Sequence, residues 1–304
     1  MKKFLLKVLL FFVCVAVMDV LFGCGFSWLR SHAKGGSTAN CEYIANRADE
    51  DIIILGSSRA THHYIPQIIE DSLRMSCYNC GEEGNGIVLA YGRLKMLTNR
   101  YKPKLILYEV TPVYDYEKKD PYSKYLGYLR PYYDKEGIKT VFDDFDNDFS
   151  SLKMLSEMYK NTGRLLPDVA DNIVFRENNK GYSPLFGEMG AINVKDERYS
   201  DIEIDSLKLS YLEKLICLAK SKDIPIIFIV SPRFGANSDV SHYKPARDLC
   251  EKYDVSYFNF INDSTIADNP AFFQDLTHLN HTGAVTYTNM LVLKVLNDKG
   301  MYSN

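Results

Sequence analysis

The sequence predicts a three-layer α/β/α sandwich built on a mostly parallel sheet of five strands, carrying a helical insertion. Three observations lead there. The run Asp51-Ile-Ile-Ile-Leu-Gly56 is apolar without alternation, as expected of a strand covered on both faces, and Leu105-Ile-Leu-Tyr108 and Ile226-Ile-Phe-Ile-Val230 repeat the pattern. Stretches with the 3.6-residue period separate these runs, which is the strand-helix-strand order of a parallel sheet. The first strand also ends in Gly56-Ser57-Ser58, a turn at the sheet edge where such folds carry their chemistry.

In chain order, the first strand spans 51 to 55, a helix follows over about 66 to 73, and 75 to 79 forms a second strand. The glycine-rich loop Asn79-Cys-Gly-Glu-Glu-Gly-Asn-Gly86 leads into a helix whose buried face is Ile87, Tyr91, Leu94 and Leu97. After the third strand the pattern stops, and the span from about 112 to 200 is too long for a simple connection, so it is read as an insertion or lid. Regular order resumes with a helix from Ser206 to Lys220 burying Leu212, Leu215, Ile216 and Ala219. The fourth strand, a helix over about 243 to 253, a fifth strand near Val255 to Phe260 and a last helix from Gly283 to about Leu296 complete the domain, 51–304.

Residues 1–24 are set apart. Lys2 and Lys3 precede a run from Phe4 to Phe22 whose only charges are Lys7 and Asp19. A stretch of about 19 residues is close to what a bilayer crossing needs, and basic residues at the amino end hold that end in the cytoplasm. The expectation is a single-pass anchor with the domain outside the cytoplasm, in the periplasm. A lipoprotein signal ending at Cys24 and a cleaved secretory peptide remain open alternatives. Residues 25–50, with Gly35-Gly36-Ser37-Thr38, read as a tether.

A net charge of −3 gives no excess of cations for a nucleic-acid footprint, and nucleic acid is not expected as a partner. Seven cysteines follow no zinc pattern; Cys77 with Cys80, or Cys217 with Cys250, remain candidate disulfides beside the reading of buried thiols. Carboxylates from Asp143 to Asp148 are spaced somewhat like a calcium loop but lack its turn glycine and closing glutamate, which favours a solvated helix start. No metal or cofactor is expected.

The chemistry concentrates at Asp275-Leu-Thr-His-Leu-Asn280, just before the last helix. A serine nucleophile needs a base for its proton, and the base needs a carboxylate to fix its tautomer. Asp275 and His278 supply both from one loop.

These residues resemble the SGNH, or GDSL-like, hydrolase family, in its membrane-anchored bacterial envelope branch, with a flavodoxin-like sheet. Gly56-Ser57-Ser58 resembles the family's Gly-Asp-Ser turn, which implies Ser58 as nucleophile; Asp275-x-x-His278 resembles the closing Asp-x-x-His. The loop from Asn79 resembles the second block and implies that Gly84 gives an oxyanion-hole N–H beside that of Ser58. The third block departs: Glu109-Val-Thr-Pro-Val-Tyr114 stands where the family has Gly-x-Asn-Asp, so the asparagine donor is missing, with Asn85 and Thr111 as candidate replacements. Arg59 and Arg233 are candidate substrate contacts or structural ion-pair partners, His62 lines the site or has a structural or surface role, and Asn280 organises the final helix start or the loop carrying His278.

The resemblance implies a serine acylhydrolase, an esterase or deacetylase, or an O-acyltransferase acting on a cell-envelope polysaccharide, so an acylated glycan or another small ester is the expected substrate. Eight tyrosines between Tyr114 and Tyr159 suit stacking on sugar faces. The alternative is a catalytically inactive scaffold that binds glycan or partner proteins of an envelope complex.

Overall fold

The computed structural model describes residues 1–119, 121–145, 150–174, 178–190, 203–235 and 241–297. The chain forms two compact units, Met1–Arg47 with Pro121–Glu177 and Ala48–Asp120 with Asn178–Asn304.

The second unit holds a five-stranded parallel sheet: β1 (Ile52–Leu55), β2 (Cys77–Asn79), β3 (Leu105–Glu109), β4 (Ile226–Val230) and β5 (Ser256–Asn259), in the spatial order β2-β1-β3-β4-β5. Register is continuous across its centre, Ile54 facing Leu107 and Leu107 facing Ile227. Side chains alternate between faces along each strand. Ile52, Ile54, Leu107 and Ile229 join the core with Ile69 of helix Pro66–Leu73 and Tyr287 and Leu291 of helix His281–Asn297. Ile53, Ile106 and Phe228 are equally buried and point to the opposite face. Burial on both sides is why these strands read as unbroken apolar runs. The fold class is therefore the predicted α/β/α sandwich.

The order reverses beside β1: β2 lies on one side, β3 on the other. In open parallel sheets ligands bind beyond the carboxyl ends of the strands at such a switch point, here between β1 and β3. Ser58 stands at the end of β1, directly after Gly56-Ser57.

The first unit is helical. Lys2–Ser31 is one 30-residue helix, long and apolar enough to cross a membrane, a test that a signal sequence passes as well. The expectation of a tether over 25–50 is corrected. The first helix runs on to Ser31, and a second helix occupies Gly36–Asn46. Thr38 of that helix is held at both its N–H and its hydroxyl, by Asp171 and Asp168 at 3.0 and 2.9 Å, so the glycine-rich start is fastened. The insertion is also narrower than read: Pro121–Glu177 groups with this unit, while the stretches on either side belong with the sheet.

Several of the tyrosines read as sugar platforms are core residues. Tyr116, Tyr125, Tyr132 and Tyr133 are buried, Tyr116 donating to the His242 carbonyl and Tyr132 to Glu42. All seven cysteines are free thiols. Asp143 lies near the end of helix Ile138–Phe145, not at a helix start, and pairs with Lys139 one turn back; Asp146 to Asp148 lie outside the described residues.

Candidate active site

Gly56 sets the geometry of the turn after β1. Its φ is +145°, and a Cβ there would lie 2.8 Å from the Glu109 carbonyl oxygen and 2.9 Å from the Glu109 Cβ, so both backbone and space require glycine. The chain then enters the short helix Ser58–His63. As its first residue, Ser58 has an N–H without an intrahelical acceptor, while its side chain is half-buried.

The Ser58 hydroxyl lies 2.8 Å from Nε2 of His278, across 220 residues of sequence. Nδ1 of His278 lies 2.8 Å from Oδ2 of Asp275. A carboxylate accepts, so Nδ1 carries the ring proton and Nε2 is free to accept from the serine. Asp275 is itself held: Oδ1 accepts from the Thr277 N–H at 2.8 Å, the His278 N–H at 2.9 Å and the Thr277 hydroxyl at 2.9 Å. Burial raises the Asp275 carboxyl, but the hydrogen bonds from the His278 ring and from Thr277 outweigh it and hold the group well below the usual carboxylate range. Asp275 therefore stays anionic beside the imidazole at neutral pH.

The loop carrying His278 is pinned at its far end by Asn280. Its amide nitrogen donates to the carbonyls of Gly187 and Ala271, both at 2.8 Å, and its Oδ1 accepts from the Gly283 N–H at 3.0 Å. It thus caps the last helix, as expected of an asparagine at that place.

Beneath the serine and the histidine runs a buried polar network that sequence reasoning missed. Glu109, the last residue of β3, is fully buried. It accepts from the Tyr64 hydroxyl, from the Ser231 hydroxyl at 2.9 Å and from the Ser231 N–H at 3.1 Å, and it forms an ion pair with Nε of Arg59 at 3.1 Å. Burial pushes the Glu109 carboxyl up, and the charge of Arg59 with the donated hydrogen bonds pulls it partly back. Ser231 in turn lies 2.7 Å from Nδ1 of His63, whose Nε2 lies 3.0 Å from the N–H of Leu279. A backbone N–H can only donate, so Nε2 of His63 is bare and Nδ1 donates to Ser231. Protonation would break the Leu279 bond, and burial followed by the nearby Arg59 charge lowers the His63 imidazole well below its ordinary range. The network ties the residue after Ser58 and the residue after His278 to the end of one strand. The one signal in the sequence was a carboxylate closing an otherwise apolar strand.

The remaining expected residues divide. Arg59 is corrected as a substrate contact: its guanidinium is buried against Glu109 and Ser231, with Tyr243 at 3.1 Å. His62 does stand beside His278, its ring edge-on at 5.6 Å between centroids, with Nδ1 donating to the Ser183 carbonyl at 2.6 Å. Its Nε2 is 3.2 Å from Glu83. Gly84 adopts a left-handed turn, φ +65°. Asn85 is buried, and its amide nitrogen donates to the Glu83 carbonyl at 3.0 Å. Thr111 is engaged elsewhere: its N–H donates to Asp115 and its hydroxyl shares a hydrogen bond with that of Ser57, both at 2.7 Å. Arg233 is half-buried after β4, its N–H donating to the Ile261 carbonyl at 3.0 Å. Among the described residues no group of three or more His, Cys, Asp or Glu is placed to hold a metal ion.

No protein-family model matches the chain. No curated protein matches it either. Among solved structures, it is similar to a Bacteroides fragilis protein provisionally named an acylhydrolase, with 13% identity over 86% of this chain and 98% of that one and a TM-score of 0.40. It is also similar to an alpha/beta hydrolase from the metagenome of Lake Arreo, Spain, with 11% identity over 84% and 100% of the two chains and a TM-score of 0.43. A mutant acetyl-xylooligosaccharide esterase from Geobacillus gives 10% identity over 84% and 98%, with a TM-score of 0.43. At such identity and overlap these likenesses assign neither activity nor substrate to the present chain.

Proposed function

We propose that the protein is an SGNH-type serine acyl-transfer enzyme, a hydrolase or an O-acyltransferase, with Ser58 as nucleophile, His278 as general base and Asp275 as the carboxylate that orients it. The observation that carries this reading is the hydrogen-bonded chain from Ser58 Oγ to His278 Nε2 and from His278 Nδ1 to Asp275, each link 2.8 Å long. In it the imidazole presents a bare nitrogen to a hydroxyl that needs to lose a proton.

Ser58 Oγ attacks the carbonyl carbon of an ester as its proton passes to Nε2 of His278. The N–H groups of Ser58 and Gly84 receive the negative charge that develops on the carbonyl oxygen. The tetrahedral adduct expels the alkoxide, which takes the proton from His278, and the acyl group remains on Ser58. Water or a sugar hydroxyl then gives its proton to His278 and attacks the acyl-serine; the second adduct expels the Ser58 oxygen, which takes that proton back from His278, and a carboxylic acid or a new ester is released. An acylated polysaccharide of the cell envelope is the proposed substrate, reached from a single-pass anchor that holds the domain outside the cytoplasm. The apolar helix Lys2–Ser31 supports the anchor, and the resemblance of the serine and histidine blocks to the envelope branch supports the substrate.

Full-length protein in detergent is expected to hydrolyse p-nitrophenyl acetate and to be labelled at Ser58 by a fluorophosphonate, with both signals lost in Ser58→Ala. The absence of turnover and of labelling in the unaltered protein would overturn the proposal. It would favour instead a catalytically inactive scaffold binding glycan or envelope proteins, to which the engagement of the Thr111 N–H by Asp115 gives some support.

A further inference from the structure

The helical unit is built inside out at one face. In helix Leu165–Ile173 the buried residues are Asp168 and Asp171, 4% and 3% exposed, whereas Leu166 and Ile173 are 81% and 77% exposed and Val169 lies between them on the same side. The preceding segment repeats the inversion: Lys160 and Asn161 are buried, while Leu155 is 76% exposed and Met158 is exposed as well. The inward polar groups are satisfied. Asp168 and Asp171 hold Thr38, Asn172 donates to the Leu29 carbonyl at 2.9 Å, Asn161 accepts from Arg30, and Lys160 pairs with Asp134 and Glu157. A water-soluble helix places its apolar stripe inward, so this polarity indicates that the outward face meets something other than water.

The position of that face along the first helix identifies the occupant. Asp19 accepts from the Ser156 hydroxyl and from the N–H groups of Glu157 and Met158, at 2.8 and 3.3 Å for the latter two. Gly23 packs so closely that a Cβ there would lie 2.5 Å from the Glu157 Cβ. Asn172 reaches Leu29, so the inverted segment spans the level of residues 19 to 29, about 15 Å along the helix axis. At this level the apolar run ends and Trp28 is exposed, the pattern of a membrane–water boundary.

We propose that the face of Leu155, Met158, Leu166, Val169 and Ile173 lies in the bilayer, forming with the end of the first helix a lipid-embedded collar. This rests on the reading of Lys2–Ser31 as a retained membrane anchor. Asp19, the one carboxylate in the apolar run, is then neither exposed to lipid nor unpaired, since the collar supplies its donors.

Trp28 is the sole tryptophan, so tryptophan quenching reads the collar cleanly. Full-length protein is reconstituted in phosphatidylcholine vesicles with or without bromine on the acyl chains. Unaltered protein reports on Trp28, and Leu166→Trp and Ile173→Trp in a Trp28→Phe background report on the collar at two exposed positions, with exposed Lys222→Trp in the same background as the control. The collar reporters are expected to lose emission in brominated vesicles in the same proportion as Trp28, and the control none. Quenching of Trp28 with collar reporters that behave like the control would overturn the collar and leave the anchor standing. Failure to quench Trp28 itself would overturn the anchor and the collar with it. Collar reporters shielded from aqueous iodide but untouched by brominated lipid would assign the face to a protein partner, again overturning the proposal.

Discussion

Glu109→Gln is the most informative single substitution in the sheet unit. It preserves the shape of the side chain and removes its charge, leaving the Arg59 guanidinium buried without its carboxylate. Removing one partner of a buried ion pair costs about 3–5 kcal/mol, because the remaining charge keeps its desolvation penalty. In a unit of roughly 200 residues each kcal/mol moves the melting temperature about 2–4 °C, so the expected fall is about 6–20 °C. Circular dichroism melts of the full-length protein in detergent measure it. Arg59→Met with Glu109→Leu is expected to recover most of the loss, since an apolar pair of similar volume carries no unpaired charge. A Glu109→Gln protein melting within about 2 °C of the unaltered one would refute the view that this pair is a keystone under the site.

Two further predictions concern the loop and the sheet edge. Asp275→Asn keeps the size of the side chain but loses the charge that stabilises an imidazolium and the acceptor that fixes the tautomer; turnover of p-nitrophenyl acetate is expected to fall by about 10⁴-fold, and a loss under about tenfold would refute the role assigned to Asp275. Asp115, fully buried against Tyr108 and Thr111, has its carboxyl pushed up to about 7 by burial. Between roughly pH 4, the ordinary carboxyl value, and that raised value the folded state keeps a proton that the unfolded state has released, so Asp115 makes stability fall as pH rises through this window and level off above it. Melts at pH 5 and pH 8 are expected to show this decline in the unaltered protein and less of it in Asp115→Asn, and equal slopes would refute the assignment.

The sheet was legible because its physics is local. Four apolar residues before Gly56 have no polar alternate, which only a strand covered on both faces requires, and Asp275 and His278 sit close enough in sequence for one loop to present both. Arg59 stayed ambiguous because the partner that neutralises it, Glu109, lies 50 residues on at the end of β3, and a cation beside a serine reads the same whether it faces substrate or core. The helical unit misled for a different reason. Hydrophobic patterning assumes water outside, and in helix Leu165–Ile173 the carboxylates point inward and the leucine outward, so the usual reading assigns its faces the wrong way round. Gly35-Gly36-Ser37-Thr38 has linker composition, yet Thr38 is fixed by residues more than a hundred positions away, a pairing that composition does not encode.

The Ser58–His278 hydrogen bond joins the turn after the first strand to the loop before the last helix. Every strand pairing in the parallel sheet also requires a crossover, so the sheet that carries Ser58 closes through no local hairpin, whereas the His278 loop is closed locally by the antiparallel bridge of Phe273 with Leu279. A ribosome making this chain produces Ser58 220 residues before His278, its base in the proposed reaction. Until then that base is missing from the nascent chain. On that reading the architecture carries its own delay, the serine being armed only after the five strands of the sheet have been made.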